Sequence, residues 1–185
     1  RIKEGLAFYP GDQLSKAIYL QIFNSALRAN EMEWALNFIN KYTVKLLPDF
    51  RETMKCQAYA FLYFHTKEYG KVLNYLNKVE FIDIMDKLQT RILTAKTYYE
   101  LNELETLLHY VDAAKHFLSS NPSVSEIIRI QIHAFIKYIH KIVFLRENKD
   151  QAEIDSLKKE IQSIEEIASK KWLIEKLDEL IGTVK

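Results

Sequence analysis

Three stretches of the chain carry the same run of polar and apolar positions. They are Asn30-Glu31-Met32-Glu33-Trp34-Ala35-Leu36-Asn37-Phe38-Ile39, Lys67-Glu68-Tyr69-Gly70-Lys71-Val72-Leu73-Asn74-Tyr75-Leu76 and Asn102-Glu103-Leu104-Glu105-Thr106-Leu107-Leu108-His109-Tyr110-Val111, which align without gaps at offsets of 37 and 35 residues. Each opens on a polar residue and a Glu, a helix-start signature in which the acid meets the positive end of the helix dipole. Each then places a large apolar residue third and a Leu seventh, four apart and so on one helical face. A second helical pattern precedes each block, over residues 13–29, 50–66 and 83–101. The pattern predicts helical hairpins at 12–47, 50–80 and 83–120, with joints near Asn30, Lys67 and Asn102. Pro48 and Pro122 mark the ends of two second helices, which proline cannot continue. One hairpin cannot cover its own apolar face, and stacking neighbours does so.

Beyond Pro122 the pattern changes. Residues 124–146 predict one long helix with Ile128, Ile132, Phe135, Ile139 and Ile142 on a seam, and Asn148–Asp150 make a turn. Ile154, Leu157, Ile161, Ile164 and Ala168 then repeat the seam over two heptads. These predict a long antiparallel pair over 123–182 that caps the array, with Lys158, Lys159, Glu165 and Glu166 outward. A break near residues 169–171 precedes a further apolar stripe of Trp172, Leu173, Leu177 and Leu180. Residues 1–11 have no partner in the pattern and read as the tail of a preceding repeat, within one helical-repeat domain spanning 1–185.

At the joints and seams the sequence resembles the tetratricopeptide repeat family, which sets a small residue and a Tyr three later on its first helix. On its second helix that family sets a small residue, an aromatic and a small residue. The second hairpin matches at Ala60, Tyr63, Val72, Leu76 and Val79, the third at Ala95, Tyr98, Leu107, Val111 and Ala114. The first fits less closely, at Phe23, Ala26, Ala35, Ile39 and Tyr42. The resemblance covers residues 12–120 and extends to C-terminal portions of uncharacterised bacterial helical-repeat proteins. It implies an all-α, right-handed superhelix of about three hairpins, and a fold of this kind specifies no activity.

Composition narrows the class further. Of 185 residues, 48% are hydrophobic and 28% charged, enough apolar material for a core without disorder. Lys and Arg number 26 against 25 Asp and Glu, which lacks the basic excess of a general polyanion binder. Four Gly and three Pro leave little for the turns of an all-β protein or for a phosphate loop. The single Cys excludes an intrachain disulfide and fits a reducing compartment, so a cytoplasmic location is expected. Residues 127–145, the most apolar stretch, include Arg129, His133, Lys137, His140 and Lys141, too many polar groups for a membrane span.

Candidate chemistry is sparse. Cys56 lies inside a predicted helix among Tyr59, Ala60 and Tyr63, where a buried structural thiol is expected rather than a nucleophile. His133 and His140 are seven apart with Lys137 between them, which suits no metal shell. No phosphate loop, GxGxxG, GxSxG or HExxH occurs, so no enzyme activity, cofactor or metal is expected. Arg129, His133, Lys137 and Lys141 form a basic stripe that an anionic membrane or nucleic-acid backbone could use, but the following helix already partners its apolar side.

The resemblance places first helices on a concave surface. Transferring its inward positions selects Leu20, Asn24, Leu27 and Arg28, then Gln57, Phe61, Phe64 and His65, then Ile92, Lys96, Tyr99 and Glu100. Aromatics flanked by charged and amide groups suit a groove that anchors a peptide or partner helix. The expected partner-binding residues are Asn24, Arg28, Gln57, Phe61, Phe64, His65, Lys96, Tyr99 and Glu100. The expected function is a non-catalytic protein-interaction scaffold, or a regulatory segment of a larger protein. The alternatives are homodimerisation through the C-terminal apolar stripe and attachment to lipid or nucleic acid.

Overall fold

The computed structural model describes residues 8–9, 13–80, 83–148 and 150–183. The fold is all-α. Its strands among the described residues are a two-residue antiparallel pair, β1 (Phe8–Tyr9) with β2 (Gln13–Leu14). The remainder of the expected tail at 1–11 lies outside the described residues.

The helices are α1 (Lys16–Arg28), α2 (Met32–Tyr42), α3 (Pro48–His65), α4 (Tyr69–Leu76), α5 (Ile84–Glu100), α6 (Leu104–Ser119), α7 (Glu126–Asn148), α8 (Gln151–Ser163) and α9 (Lys170–Thr183), with a 3-10 turn at Thr43–Lys45. Side chains that accept a backbone N–H start four of them, among them α7, where Ser125 takes Ile128 N at 3.5 Å. Ser15 takes Ile18 N at 3.2 Å, Asp83 takes Asp86 N at 2.8 Å and Asp150 takes Glu153 N at 3.0 Å. Pro48 does not end a helix; it begins α3, where its missing N–H costs nothing.

One backbone turn recurs at all three expected joints. Asn30, Lys67 and Asn102 have φ of 59°, 61° and 63°, the left-handed conformation that stops a helix. Each is followed by a Glu with φ near −90° and ψ near +60° (Glu31, Glu68, Glu103). At the first two, the Glu N–H reaches back to the carbonyl of Ala26 or Tyr63, at 3.0 and 2.8 Å. These bonds take up carbonyls left over at the helix end.

The chain packs as two compact units, divided between Asn102 and Glu103. The division falls at the third joint and so separates α5 from α6. In unit 1, Tyr19, Phe23, Ala35, Phe38, Ile39, Met54 and Leu62 form one core cluster. Cys56, Ala60, Val72, Leu76, Val79 and Leu93 form a second. Lys16 clamps the unit: its Nζ lies 2.6 Å from carboxylate oxygens of both Asp83 and Asp86, tying the first turn of α1 to that of α5.

In unit 2, α7 lies against α6 and α9, while α8 pairs chiefly with α9. The C-terminal part is therefore three helices rather than the expected long pair. α8 also stops sooner than the apolar spacing predicts. Ile164 is extended, and the Lys170 ammonium donates to the carbonyls of Gln162 and Ile164 at 2.9 and 2.7 Å. Trp172, Leu173, Leu177 and Leu180 are all buried, so this stripe presents no free face to a second copy.

Candidate functional site

The nine residues selected from the sequence all fall in unit 1, on α1, α3 and α5. The structure divides them by burial. α3 is contacted by α1, α2, α4 and α5, and a helix with four neighbours keeps only a narrow arc open. Gln57 sits inside the covered arc, with no exposed surface and with both side-chain amide atoms lacking a hydrogen-bond partner. On α5, Tyr99 is 4% exposed. Neither side chain faces a groove, a correction to the expected contact set.

The other positions remain accessible. Phe61 and Phe64 are half-buried, His65 and Arg28 exposed, and Asn24, Lys96 and Glu100 intermediate. Phe61 packs against both core clusters and thereby joins them. Phe64 meets the edge of Tyr69 with ring centroids 5.4 Å apart. From α5, the Lys96 ammonium lies 4.5 Å from the Phe64 ring centroid, within cation–π range. Phe64 and Lys96 are thus brought together across α3 and α5. On α1 the Arg28 guanidinium donates to Ser25 Oγ of its own helix at 3.1 Å.

The remaining candidates resolve into structural roles. The Cys56 thiol is buried and points at Glu52 Oε1, 3.5 Å away. Burial, and then the Glu52 carboxylate, push its pKa up, the opposite of what an attacking thiolate needs. Among the described residues, no three His, Cys, Asp or Glu side chains gather closely enough to hold a metal ion. Three of the four members of the basic stripe on α7, Arg129, Lys137 and Lys141, are engaged within the molecule. Arg129 donates to the carbonyls of Leu118 (2.5 Å), Asn121 (3.2 Å) and Val124 (3.3 Å). Lys137 and Lys141 both reach Glu160, at 2.9 and 3.0 Å, and His140 Nε2 is 3.3 Å from Asp112. Among the described residues no helix is long and apolar enough to cross a membrane.

Sequence reasoning missed a cavity of about 470 Å³ between α7 and α8, whose lining includes Phe144, Leu145 and Leu157. The available signal was Phe144 itself, a large apolar residue that falls off the Phe135–Ile139–Ile142 seam. Compared with family models, curated proteins and solved structures, the chain matches none.

Proposed function

We propose that the chain is a non-catalytic protein-interaction scaffold, built on a tetratricopeptide-like superhelix and serving alone or as a regulatory segment of a larger protein. Its open α3–α5 face captures a peptide. The observation that carries this reading is the partly exposed Phe64 ring beside the Lys96 ammonium. An apolar anchor next to a fixed positive charge suits a peptide with a large apolar residue followed by an acid. Phe61 continues the apolar strip, Arg28 and His65 supply further cationic or polar contacts, and Glu100 penalises a wrongly placed acid. The three like-built joints support the repeat architecture, because identical turns lay successive helices down in equivalent ways.

A random-peptide display selection on the immobilised full chain tests this. Enriched peptides should pair an aromatic or Leu with nearby acids, and Phe64→Ala should weaken them about tenfold or more, the scale of an interface anchor. Lys96→Glu should move the preference from acidic to basic neighbours. Peptides that bind both variants as well as the parent would refute the assignment of this face.

A further inference from the structure

The cavity between α7 and α8 falls within the roughly 300–1,000 Å³ range of small-molecule sites, at about 470 Å³. Leu145 and Leu157 form its apolar wall and are buried. Phe144, on the same wall, is 59% exposed. A phenyl ring left open in this way does not serve the core, which Phe135, Ile139, Ile142 and Leu145 already fill from the same helix.

The titratable lining is His140, Lys141, Glu153 and Glu160, with His140 Nε2 3.3 Å from Asp112. Lys141 is committed to Glu160, which also takes Lys137 and the Tyr138 hydroxyl. Glu153 differs. Its backbone N–H is used by the Asp150 cap, yet its carboxylate has no ion pair or hydrogen bond among the described residues. Lys137 and Lys141 are both engaged by Glu160, so an entering anion would find neither ammonium uncommitted. An entering cation would meet Glu153, a carboxylate with no partner among the described residues, and the exposed Phe144 ring, two groups that together recognise an organic ammonium.

We propose that this cavity binds a small organic ammonium with an aromatic or aliphatic body, the ammonium paired with Glu153 and the body lying against Phe144, Leu145 and Leu157. The site lies wholly in unit 2, and the proposal stands apart from the peptide-binding reading of unit 1.

Amide-resolved NMR titrations of the full chain test it with three probes of one shape: phenethylammonium, 2-phenylethanol and 3-phenylpropanoate. The ammonium should give saturable shifts confined to residues 141–145 and 153–160. It should bind about five-fold more tightly than the alcohol, the scale of one solvent-exposed ion pair, with the carboxylate weakest. Glu153→Gln should bring the ammonium down to the alcohol's affinity. Phe144→Ala should weaken both by several-fold, with Phe144→Leu as substitute if the Ala variant loses the parent amide pattern. The proposal is overturned by a carboxylate that binds as well as the ammonium, by an ammonium preference that survives Glu153→Gln, by binding unaffected at Phe144, or by shifts that are absent or scattered.

Discussion

Lys67 holds a left-handed backbone conformation at a position where Asn serves in the two sister joints. For a residue with a Cβ and no short amide to bond locally, that conformation costs about 1 kcal/mol, and Gly adopts it freely. The Lys67 side chain is exposed, so a smaller residue there sacrifices little packing. Lys67→Gly should therefore raise stability by about 0.5–1 kcal/mol in urea unfolding, even with the added freedom of the unfolded chain. Lys67→Asn should give a smaller gain of the same sign, and a loss with both variants would mean that the lysine stem supports the turn. Gln57 shows strain of another kind. It leaves an amide donor and acceptor buried and unpaired, where each such group costs about 1–3 kcal/mol. Its spacing from Phe61 and Phe64 put it on a shared helical face. Only the number of helices around α3 reveals that this face closes over at residue 57.

Between α7 and α8 the fastening is one carboxylate. Glu160 takes hydrogen bonds from Lys137 first, then Lys141 and Tyr138, and these hold its pKa down to about 2. A carboxylate with a depressed folded-state pKa adds stability above its unfolded value near 4.5, and that stability fades as pH falls toward 2. Because the side chain is 38% exposed, solvent screening limits the contribution to at most about 1 kcal/mol. Wild type should exceed Glu160→Gln by that margin at neutral pH, and the gap should close between pH 4.5 and 2 and shrink in high salt. A gap independent of pH would assign the effect to packing. The helices themselves were largely legible in the sequence, since α1, α3, α5 and α7 arise within a few residues of where their apolar spacing begins. The joints at Asn30, Lys67 and Asn102 were legible because a polar residue before Glu announces a stop and a restart together. The end of α8 was not, for Ile164 and Ala168 keep the helical spacing. What ends the helix is capping by Lys170, a residue beyond the break. The Lys16 clamp was equally hidden, because its partners lie 67 and 70 residues away.

At the scale of the molecule, composition identified an all-α chain, and near-equal charges matched a surface on which many cations find carboxylates. What composition could not supply was the division at residue 102, which depends on where side chains pack rather than on any change in sequence texture. The two tryptophans fall one in each unit, Trp34 at 42% exposure and Trp172 at 6%. Trp172 packs against Phe135 of α7, with ring centroids 6.3 Å apart, and so reports on the core of unit 2. Arg129 holds the turn between α6 and α7 by donating to three carbonyls, and charge-assisted bonds of this kind are stronger than neutral ones and costlier to lose. In a Trp34→Phe background, where Trp172 is the sole tryptophan, its emission should shift to longer wavelength on unfolding. Arg129→Met keeps the apolar stem and removes the donors. It should lower the stability read by Trp172 by about 2–3 kcal/mol, and amide exchange at residues 115–121 should accelerate. An unmoved Trp172 transition would mean that those carbonyls are satisfied as well by water, and that the α6–α7 turn stands without the guanidinium.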